Sequence, residues 1–513
     1  MSNSAGNLLH RRQFVIGPEP IRYRGDWKSV ELFPSCYLSH CRSLPVRSVS
    51  DVDGKDWHLI GIAVQTAPER PDPWEEIAHT ATDDVPERYQ NWSGRWMLIG
   101  NGEVHLDASG FIGCWYLTGV NPTQSRTPWV SSSPALLAEL AGEQVGTRDP
   151  RQLSYRIGVE WFPPPRARYA AVRRLLLSQV LRLADGTVRE RRLFPHTDPT
   201  ISYENVLEKL ETGLVTFLRR MPRAGRSAWL TLTAGYDSRV LLAAVVKSGI
   251  QVRTFTQDYR SVPVANEEKF RSISLADRIL PSRLSAAAGL EHVWVGQKRF
   301  DARRTALFDA HTGHEVVDVQ RHFFARRQWD FAQEGDLIVG GLCFEVGRCY
   351  FWHKLGDSNV PDGAQIARGW HEAPNSSLMA AMAEWIEWTE HTPHPELDWR
   401  DRFYIEQRLG GWQSARELSM DLIPVDLIHP MNSARAHALS LCVPQEKRIK
   451  GEHQIDLVRR MAPHLLEFPI NPDYDYFHPL TRLYCNWRDD YTYPFKWIAR
   501  RSASLVSSRH KGL

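Results

Sequence analysis

The sequence predicts a strand-rich α+β region followed by an α/β region built on a parallel sheet. Two observations support this prediction. Up to about residue 195, the apolar segments are short and are separated by turn-forming residues. From residue 228 onwards, short apolar strands alternate with helical segments, which is typical of a parallel sheet. A proline-containing stretch at residues 195–199 separates the two patterns, so we assign the regions to residues 1–199 and 200–513.

The first region is predicted to form antiparallel strands joined by tight turns. The sequence Gly100-Asn101-Gly102 has the residue types that a two-residue hairpin turn requires, and it separates two apolar segments. The predicted elements are strands at residues 57–64, 94–100, 103–107, 110–116 and 129–133, a helix at 134–140 and a hairpin turn at 183–188. We expect residues 110–116 to continue the meander that the first three strands begin.

The second region is predicted to open with an amphipathic helix at residues 203–218. Strands follow at residues 229–232, 252–255, 292–295 and 337–339, with helical segments between them. Parallel sheets of this kind bind ligands at the carboxyl ends of their strands. A functional site is therefore expected where these four strands end.

Residues 230–246 predict a strand, a tight turn at 233–238 and a helix. Such a turn leaves backbone N–H groups without partners at a helix N-terminus, where the helix dipole also favours an anion. Gly235 allows a phosphate to approach the backbone closely, and Ser238 adds a hydroxyl donor. Asp237 fits such a site if Mg²⁺ lies between its carboxylate and the phosphates. The alternative is an ordinary turn in which the aspartate caps the helix.

The composition argues against several classes of function. Lys and Arg total 63 against 60 Asp and Glu, and this net charge of +3 gives no electrostatic case for nucleic-acid binding. No apolar run approaches the roughly 20 residues of a membrane span. The seven cysteines form no Cys-x-x-Cys pair and the first residues begin no signal peptide, so we expect reduced thiols and a cytoplasmic location.

Three segments, taken in order, carry a family resemblance. Residues 94–116 contain a Gly-Arg-aromatic strand, an Asp-x-x-Gly turn and a tyrosine. Residues 233–238 match Ser-Gly-Gly-x-Asp-Ser except for Thr233 and Ala234, and residues 430–444 keep the spacing of a Pro-Phe-Leu-Asp…Pro-Pro-Glu-Leu-Lys segment. Together they resemble the asparagine synthetase family. The resemblance implies an Ntn-type glutaminase-like sandwich followed by an α/β domain of the adenine nucleotide hydrolase type.

The resemblance also implies a site for ATP and Mg²⁺. The backbone amides of Ala234, Gly235 and Tyr236, together with Ser238, would hold the pyrophosphate. Asp237 would bind Mg²⁺ and take part in catalysis. The other nucleotide-binding residues that the resemblance implies are Thr233, Arg239, Thr256, Gly340 and Gly341.

Three departures from the family bear on the chemistry. Family glutaminases use an N-terminal cysteine, but residue 2 is Ser2, so glutamine hydrolysis is not expected. The family's second metal motif, Gly-Glu-Gly-Ala-Asp-Glu, corresponds to residues 340–345. Phe344 replaces the aspartate there, and Glu345 remains as the second Mg²⁺ ligand and catalytic carboxylate. The family's C-terminal lysine has no clear match, and we choose Lys450 for that role.

We therefore expect an ATP-dependent ligase that activates a carboxylate as an acyl-adenylate and transfers it to an amine. In reaction scheme this expectation is most similar to β-lactam synthetases and lasso-peptide cyclases, which lack the glutaminase nucleophile and use an amine already present on a substrate. The expected partners are a small-molecule or peptide carboxylate and an amine, with no nucleic acid and no membrane; a partner protein or a homo-oligomer is left open. Two alternatives stand beside this expectation. One is a non-catalytic or regulatory nucleotide-binding protein with a decayed site, and the other is an amide synthetase that takes ammonia from a partner.

Overall fold

The computed structural model of the chain describes residues 8–23, 27–117, 126–143, 153–155, 159–196, 198, 200–223, 225–257, 267–296, 301–315, 325, 331, 333–356, 358–369 and 376–481. Within these ranges, an N-terminal region of two antiparallel sheets precedes a C-terminal region with a five-stranded parallel sheet and helices. This layout confirms the predicted order of a strand-rich part and an α/β part. The boundary between residues 199 and 200 stays a prediction.

Two six-stranded antiparallel sheets make up most of the N-terminal region. Apolar side chains from both sheets, such as Ile16 and Met97, meet in one buried core. The strands are β1 (Phe14–Gly17), β2 (Trp27–Phe33), β3 (Cys36–Cys41), β4 (Val46–Ser50), β5 (Asp56–Gln65), β6 (Trp92–Gly100), β7 (Glu103–Leu106), β8 (Trp115–Leu117), β9 (Val130–Ser131), β10 (Leu153–Tyr155), β11 (Val159–Trp161), β12 (Val172–Arg174), β13 (Gln179–Arg182) and β14 (Val188–Glu190). Their orders are β12-β8-β9-β1-β3-β2 and β14-β13-β7-β6-β5-β4, and β10 pairs separately with β11.

The predicted hairpin between β6 and β7 is confirmed. Gly100 pairs with Glu103, and between them Asn101 and Gly102 adopt positive φ angles of 50° and 71°. Both angles belong to the left-handed region that a tight hairpin turn needs, and asparagine and glycine tolerate it best. The second predicted hairpin turn, at residues 183–188, is also present, since β13 and β14 pair across it.

The prediction that residues 110–116 continue this meander is wrong. Strand β8 begins only at Trp115, and it pairs with β9 and β12 in the other sheet. The buried carboxylate of Asp107 accepts hydrogen bonds from the backbone N–H groups of Ser109 (2.9 Å) and Phe111 (3.3 Å). These bonds turn the chain immediately after β7, so it crosses from one sheet to the other.

The parallel sheet contains β15 (Ala228–Thr231), β16 (Arg253–Gln257), β17 (His292–Val295), β18 (Asp336–Val339) and β19 (Val425–Ile428) in the order β17-β16-β15-β18-β19. All neighbouring strands are parallel, which confirms the four predicted strands. The sequence does not predict β19, because it has four residues and a charge in its middle. That charge, Asp426, is neutralised by Arg12 at 2.7 Å, from near the other end of the chain.

Helices pack around the parallel sheet and also link the antiparallel strands. Predicted helices at residues 134–140 and 203–218 are both confirmed, and Ser133 Oγ caps the first by accepting from the Leu136 N–H at 3.3 Å. None of the helices in the described ranges is long and apolar enough to cross a membrane. The α-helices are α1 (Pro73–Ala78), α2 (Val85–Arg88), α3 (Pro134–Leu140), α4 (Tyr203–Arg220), α5 (Tyr236–Ser248), α6 (Glu267–Ala287), α7 (Ala302–His311), α8 (Trp352–Leu355), α9 (Gly363–Gly369), α10 (Ser376–His391), α11 (Trp399–Phe403), α12 (Ser414–Met420), α13 (Ala434–Leu441), α14 (Gln445–Lys450) and α15 (Glu452–Met461). A π-helix, Tyr404–Gln413, joins α11 to α12, and short 3₁₀ helices lie at Thr82–Asp84, Tyr89–Asn91, Phe344–Arg348, Pro463–Glu467 and Tyr474–Tyr476.

Strand β6 of the N-terminal region holds the segment that follows β19. The Gly94 N–H donates to the His429 carbonyl at 3.2 Å, and the Ser93 hydroxyl donates to the Pro430 carbonyl at 2.7 Å. The Asn432 amide donates in return to the Gly94 carbonyl at 2.8 Å. The two regions therefore share a hydrogen-bonded boundary at the carboxyl edge of the parallel sheet.

Candidate functional site

The turn between β15 and α5 lies at the carboxyl edge of the parallel sheet, as predicted. Helix α5 begins after Gly235 with no side-chain cap, so N–H groups of its first turn have no acceptor within the helix. The turn itself is tied internally. The Thr233 N–H donates to Ser238 Oγ at 3.0 Å, and the Gly235 N–H donates to Thr233 Oγ1 at 3.2 Å. Donors for an anion are therefore supplied by the first turn of α5 rather than by residues 233–235.

A buried carboxylate on α6 holds the same turn. Asp277 Oδ1 accepts a hydrogen bond from the Ala234 N–H at 2.7 Å. Burial raises the pKa of Asp277 to about 7, against the effect of that hydrogen bond. Near neutral pH its carboxyl is therefore divided between protonated and ionised forms. The sequence does not single out Asp277, because an aspartate within a helix carries no local signal of its contacts.

Replacing Asp277 by Asn is expected to stabilise the chain at alkaline pH by roughly 3–4 kcal/mol. Because folding raises the pKa of Asp277, the group contributes stability to the folded state at pH values below its unfolded-state pKa. This contribution to stability is lost as the pH rises through about 7. The amide cannot ionise, so the advantage of the variant should grow from pH 4 to pH 8. Urea denaturation across this range measures it, with exposed Asp84→Asn as the control. An advantage that does not change with pH would contradict the assignment.

The two predicted Mg²⁺ ligands, Asp237 and Glu345, lie close enough to interact electrostatically. Burial, and then the charge of Glu345, raises the pKa of Asp237 to about 7. Asp237 Oδ1 accepts a hydrogen bond from Gln454 Nε2 at 2.6 Å. Glu345 Oε2 is buried and has no hydrogen-bond partner among the described residues. The structure thus brings together two acidic groups with an unsatisfied oxygen.

This pair fits the Mg²⁺ that the resemblance implies. Mg²⁺ takes oxygen ligands, commonly one or two carboxylates together with phosphates, and a bound cation would relieve the repulsion between Asp237 and Glu345. The described residues contain no cluster of three or more His, Cys, Asp or Glu side chains that could hold a metal by themselves. Phosphate oxygens of a substrate would have to complete the coordination.

The residues around Glu345 explain how it reaches this position. Cys343 has a φ of +77°, and the 3₁₀ helix Phe344–Arg348 begins immediately after it. Phe344, which replaces the family's aspartate, is 2% exposed and packs in the main apolar core. Arg348 lies over the ring of Tyr236 at 5.1 Å, and its charge acts to lower the pKa of Asp237. Arg348 is therefore a cation of this site that the sequence does not single out.

Two predicted residues are directed elsewhere. The Lys450 side chain is 67% exposed and pairs with Glu452 at 3.5 Å. Arg239 is fully buried, and its guanidinium donates to backbone carbonyls that include Ala234 (3.3 Å) and Pro469 (2.8 Å). Arg239 therefore fastens the C-terminal segment to the turn, and Lys450 lies in solvent.

A cavity of about 250 Å³ opens beside Asp237, where β15, β16, β18 and β19 end. Thr256 was predicted for this site, but its buried hydroxyl donates to the Leu232 carbonyl at 2.6 Å and ties β16 to the end of β15. The predicted residues that line the cavity are Thr233, Asp237, Ser238, Gly340 and Gly341.

The two predicted glycines allow close packing at the cavity. A Cβ atom on Gly340 would lie 2.5 Å from His429 Cε1, which is closer than side chains tolerate. A Cβ atom on Gly341 would lie 3.7 Å from the Cβ of Asp237, within ordinary van der Waals contact. Gly340 is therefore required by its neighbour His429, and Gly341 lies against Asp237.

Besides Thr231, six polar residues of the cavity wall are not predicted by the sequence. Gln257 ends β16, and its amide nitrogen and oxygen are both buried without a hydrogen-bond partner among the described residues. His429 follows β19, so the rule that ligands bind at strand ends would have found it if that strand had been predicted. The six residues, four of them from the π-helix and α12, are Gln257, Gln413, Arg416, Glu417, Ser419 and His429.

We compared the sequence with protein-family models and with curated proteins. No protein-family model matches the chain, and no curated protein is significantly similar to it. The chemistry of the site therefore has to be inferred from the turn, the acidic pair and the cavity.

Proposed function

We propose that this protein is an ATP-dependent carbon–nitrogen ligase of the asparagine synthetase type. The observation that carries the proposal is the pair of half-buried carboxylates Asp237 and Glu345 beside the uncapped N-terminus of α5, at the carboxyl edge of a parallel sheet. The two antiparallel sheets of the N-terminal region support a glutaminase-like sandwich, and the parallel sheet supports a domain of the adenine nucleotide hydrolase type. In this proposal a carboxylate is activated as an acyl-adenylate, pyrophosphate leaves, and an amine displaces AMP.

Each part of the site has a role in this reaction. The N–H groups of the first turn of α5 bind a phosphate, with the helix dipole favouring its charge. Asp237 and Glu345 hold Mg²⁺, which when bound neutralises charge on the phosphates. Arg348 places a further positive charge near the departing pyrophosphate. Electrostatic stabilisation of this kind is usually the largest catalytic contribution.

The proposed substrates are a small-molecule or peptide carboxylate and an amine, and ammonia from a partner protein is a second source of the nitrogen. A cytoplasmic location is part of the proposal. All six cysteines that the structure describes are free thiols, as expected for a reducing compartment.

A nucleotide-binding protein without turnover is the second candidate. The observation that favours it is the internal bonding of the turn, where the N–H groups of Thr233, Ala234 and Gly235 all donate to protein acceptors. The exposed position of Lys450 also favours this second candidate, because Lys450 then does not supply the positive charge that an adenylate would need.

Pyrophosphate release separates the two candidates. The full chain is incubated with ATP, Mg²⁺ and hydroxylamine, together with the twenty proteinogenic amino acids singly or tryptic peptides of casein. The ligase proposal expects carboxylate-dependent pyrophosphate release and hydroxamate formation. Nucleotide binding of equal affinity with and without Mg²⁺, and no pyrophosphate, would favour the binding protein instead.

Glutamine hydrolysis is expected to be undetectable, because the thiolate is the reactive form of cysteine. Burial raises the pKa of Cys36 to about 12 and places that of Cys114 well above its ordinary value. Glutamate release from glutamine by the purified chain, measured with and without ATP, tests this. Stoichiometric release would contradict it, and the Cys36→Ala, Cys41→Ala double variant would then show whether either thiol is responsible.

A further inference from the structure

The polar wall of the cavity contains a histidine–carboxylate pair that the roles above do not use. His429 Nε2 lies 3.4 Å from Glu417 Oε2, and the two side chains are only 2% and 3% exposed. Both residues line the cavity that Asp237 and Ser238 also line. We propose that His429, oriented by Glu417, is the base that takes a proton from the attacking amine. This proposal rests on the ligase function proposed above.

The hydrogen bonding determines which ring nitrogen acts as the base. An ionised carboxylate only accepts hydrogen bonds, so the proton between the pair belongs to His429 Nε2. The neutral ring then carries its lone pair on Nδ1. That atom is buried and has no hydrogen-bond partner among the described residues. A base held by a carboxylate through its other nitrogen is the arrangement that activates nucleophiles in many enzymes.

Neighbouring groups fix the ring and its carboxylate. The Phe111 ring meets the His429 ring edge to face, with 5.0 Å between their centres. Gly340 lies so close that a Cβ there would be 2.6 Å from His429 Nδ1. The Gln413 amide donates to Glu417 Oε1 at 3.1 Å. The pair is therefore held in one arrangement before any substrate binds.

A hydrogen bond and two positive charges keep Glu417 ionised. Burial acts to raise the pKa of Glu417, but the hydrogen bond from His429 and the charges of Arg95 and Arg416 hold it below its usual value. Among the described residues that line this cavity, Asp237 is the other carboxylate. An ionised Glu417 is the form that can accept the Nε2 proton and orient the ring.

Gln257 indicates independently that the cavity is built for a polar ligand. The residue is 6% exposed, and both polar atoms of its amide lack a hydrogen-bond partner among the described residues. Buried amides are nearly always paired, so an unpaired one facing a cavity is suited to a ligand with a donor and an acceptor. Leu232, Phe255 and Leu427 supply apolar walls that exclude water from the reacting amine.

In the proposed step, an ammonium donor loses its first proton to His429 Nδ1, and the lone pair that this frees forms a C–N bond to the acyl carbon. A second N–H proton is lost to water as the amide forms. The C–O bond to the adenylate phosphate then breaks, and its electron pair leaves on AMP. The imidazolium returns its proton to solvent, which restores the neutral base.

The test compares two amines on the same acyl-adenylate. Ammonium chloride must lose a proton before it attacks, whereas hydroxylamine is already unprotonated at neutral pH. With the carboxylate probes named above, His429→Gln is expected to lower amide formation from ammonium by about 10²–10⁴-fold. Hydroxamate formation by the same variant should fall far less. The ratio of the two products is therefore the diagnostic quantity.

Controls separate this proposal from the ligase proposal. His437→Gln replaces another fully buried histidine, outside the cavity lining, and should leave the ratio of products unchanged. If wild-type protein forms no hydroxamate from any probe, the ligase function fails and this proposal fails with it. If hydroxamate forms and His429→Gln lowers both products equally, only the assignment of the base is overturned.

Glu417 is a positioning residue in this scheme, and its test uses the NMR signal of His429. Histidine Cε1 signals in spectra of the full chain identify His429 by their loss in His429→Gln. Glu417→Gln removes the negative charge 3.4 Å from the ring, so the Cε1 signal of His429 should shift, and amide formation from ammonium should fall relative to hydroxamate formation. An unchanged Cε1 signal together with an unchanged product ratio would overturn the role of Glu417.

Discussion

Replacing Asp237 by Asn is expected to lower Mg²⁺-dependent pyrophosphate release by about 10²–10³-fold. Asp237 is half-buried, lies in the first turn of α5 and interacts electrostatically with Glu345. In the proposed site, removing one of the two carboxylates would leave Glu345 alone to hold the cation against the phosphates. The isosteric amide keeps the size of the side chain and can still accept from Gln454, so the fold should persist. Pyrophosphate release and ATP affinity, each with and without Mg²⁺, measure the effect.

The matched control is Asp336→Asn at the amino end of β18, on the opposite edge of the same sheet. Asp336 is buried, and it accepts a hydrogen bond from the Trp229 indole at 3.2 Å. This control should keep wild-type turnover. Wild-type turnover in Asp237→Asn would remove Asp237 from the mechanism. The companion variant Glu345→Gln should lose activity to a comparable degree, and unchanged activity in it would remove Glu345 from the proposed metal site.

Replacing Asp421 by Ala is expected to destabilise the chain by about 3–5 kcal/mol. Asp421 forms a bidentate ion pair with Arg95, with distances of 2.6 and 3.2 Å, and both residues are buried at the junction of the two regions. Without its partner, Arg95 would keep an uncompensated charge away from water. Urea denaturation followed by tryptophan fluorescence and by circular dichroism measures the loss, and both signals should change together.

An apolar replacement of the whole pair tests the same reasoning. Removing both charges leaves none unpaired, so the double variant Arg95→Met, Asp421→Leu should recover most of the stability that the single change loses. If Asp421→Ala costs less than about 1 kcal/mol, the pair behaves like an exposed surface ion pair and the two regions do not depend on it.

Features fixed by neighbours in the sequence were predictable. The strand, turn and helix at residues 230–246 follow from an apolar run, small residues and a helical pattern, and the hairpin at Gly100-Asn101-Gly102 follows from its turn residues. The proximity of Asp237 and Glu345 was also predictable, because each lies in a segment that resembles a family motif, and their role in binding Mg²⁺ stays a prediction.

Features that depend on distant contacts were not predictable in the same way. Strand β19 has too little apolar sequence to stand out, and without it the position of His429 at a strand end is hidden. Asp277 contacts the turn across 43 positions of sequence, and nothing near it in the chain reports that contact. Lys450 is predicted from its position along the chain. The direction of its side chain depends on the local surface, where it pairs with Glu452.

The hydrogen bonds between β6 and residues 429–432 limit which substitutions this chain can accept in evolution. Gly94 has a φ of 116°, and a Cβ there would lie 2.3 Å from the Ile62 carbonyl oxygen. Few substitutions fit this position, although it belongs to a region for which we propose no chemistry of its own. If the proposed function of the cavity is under selection, the same selection also constrains the backbone of β6 in the N-terminal sheets. A gene fragment for residues 200–513 would encode His429 without the strand that holds it.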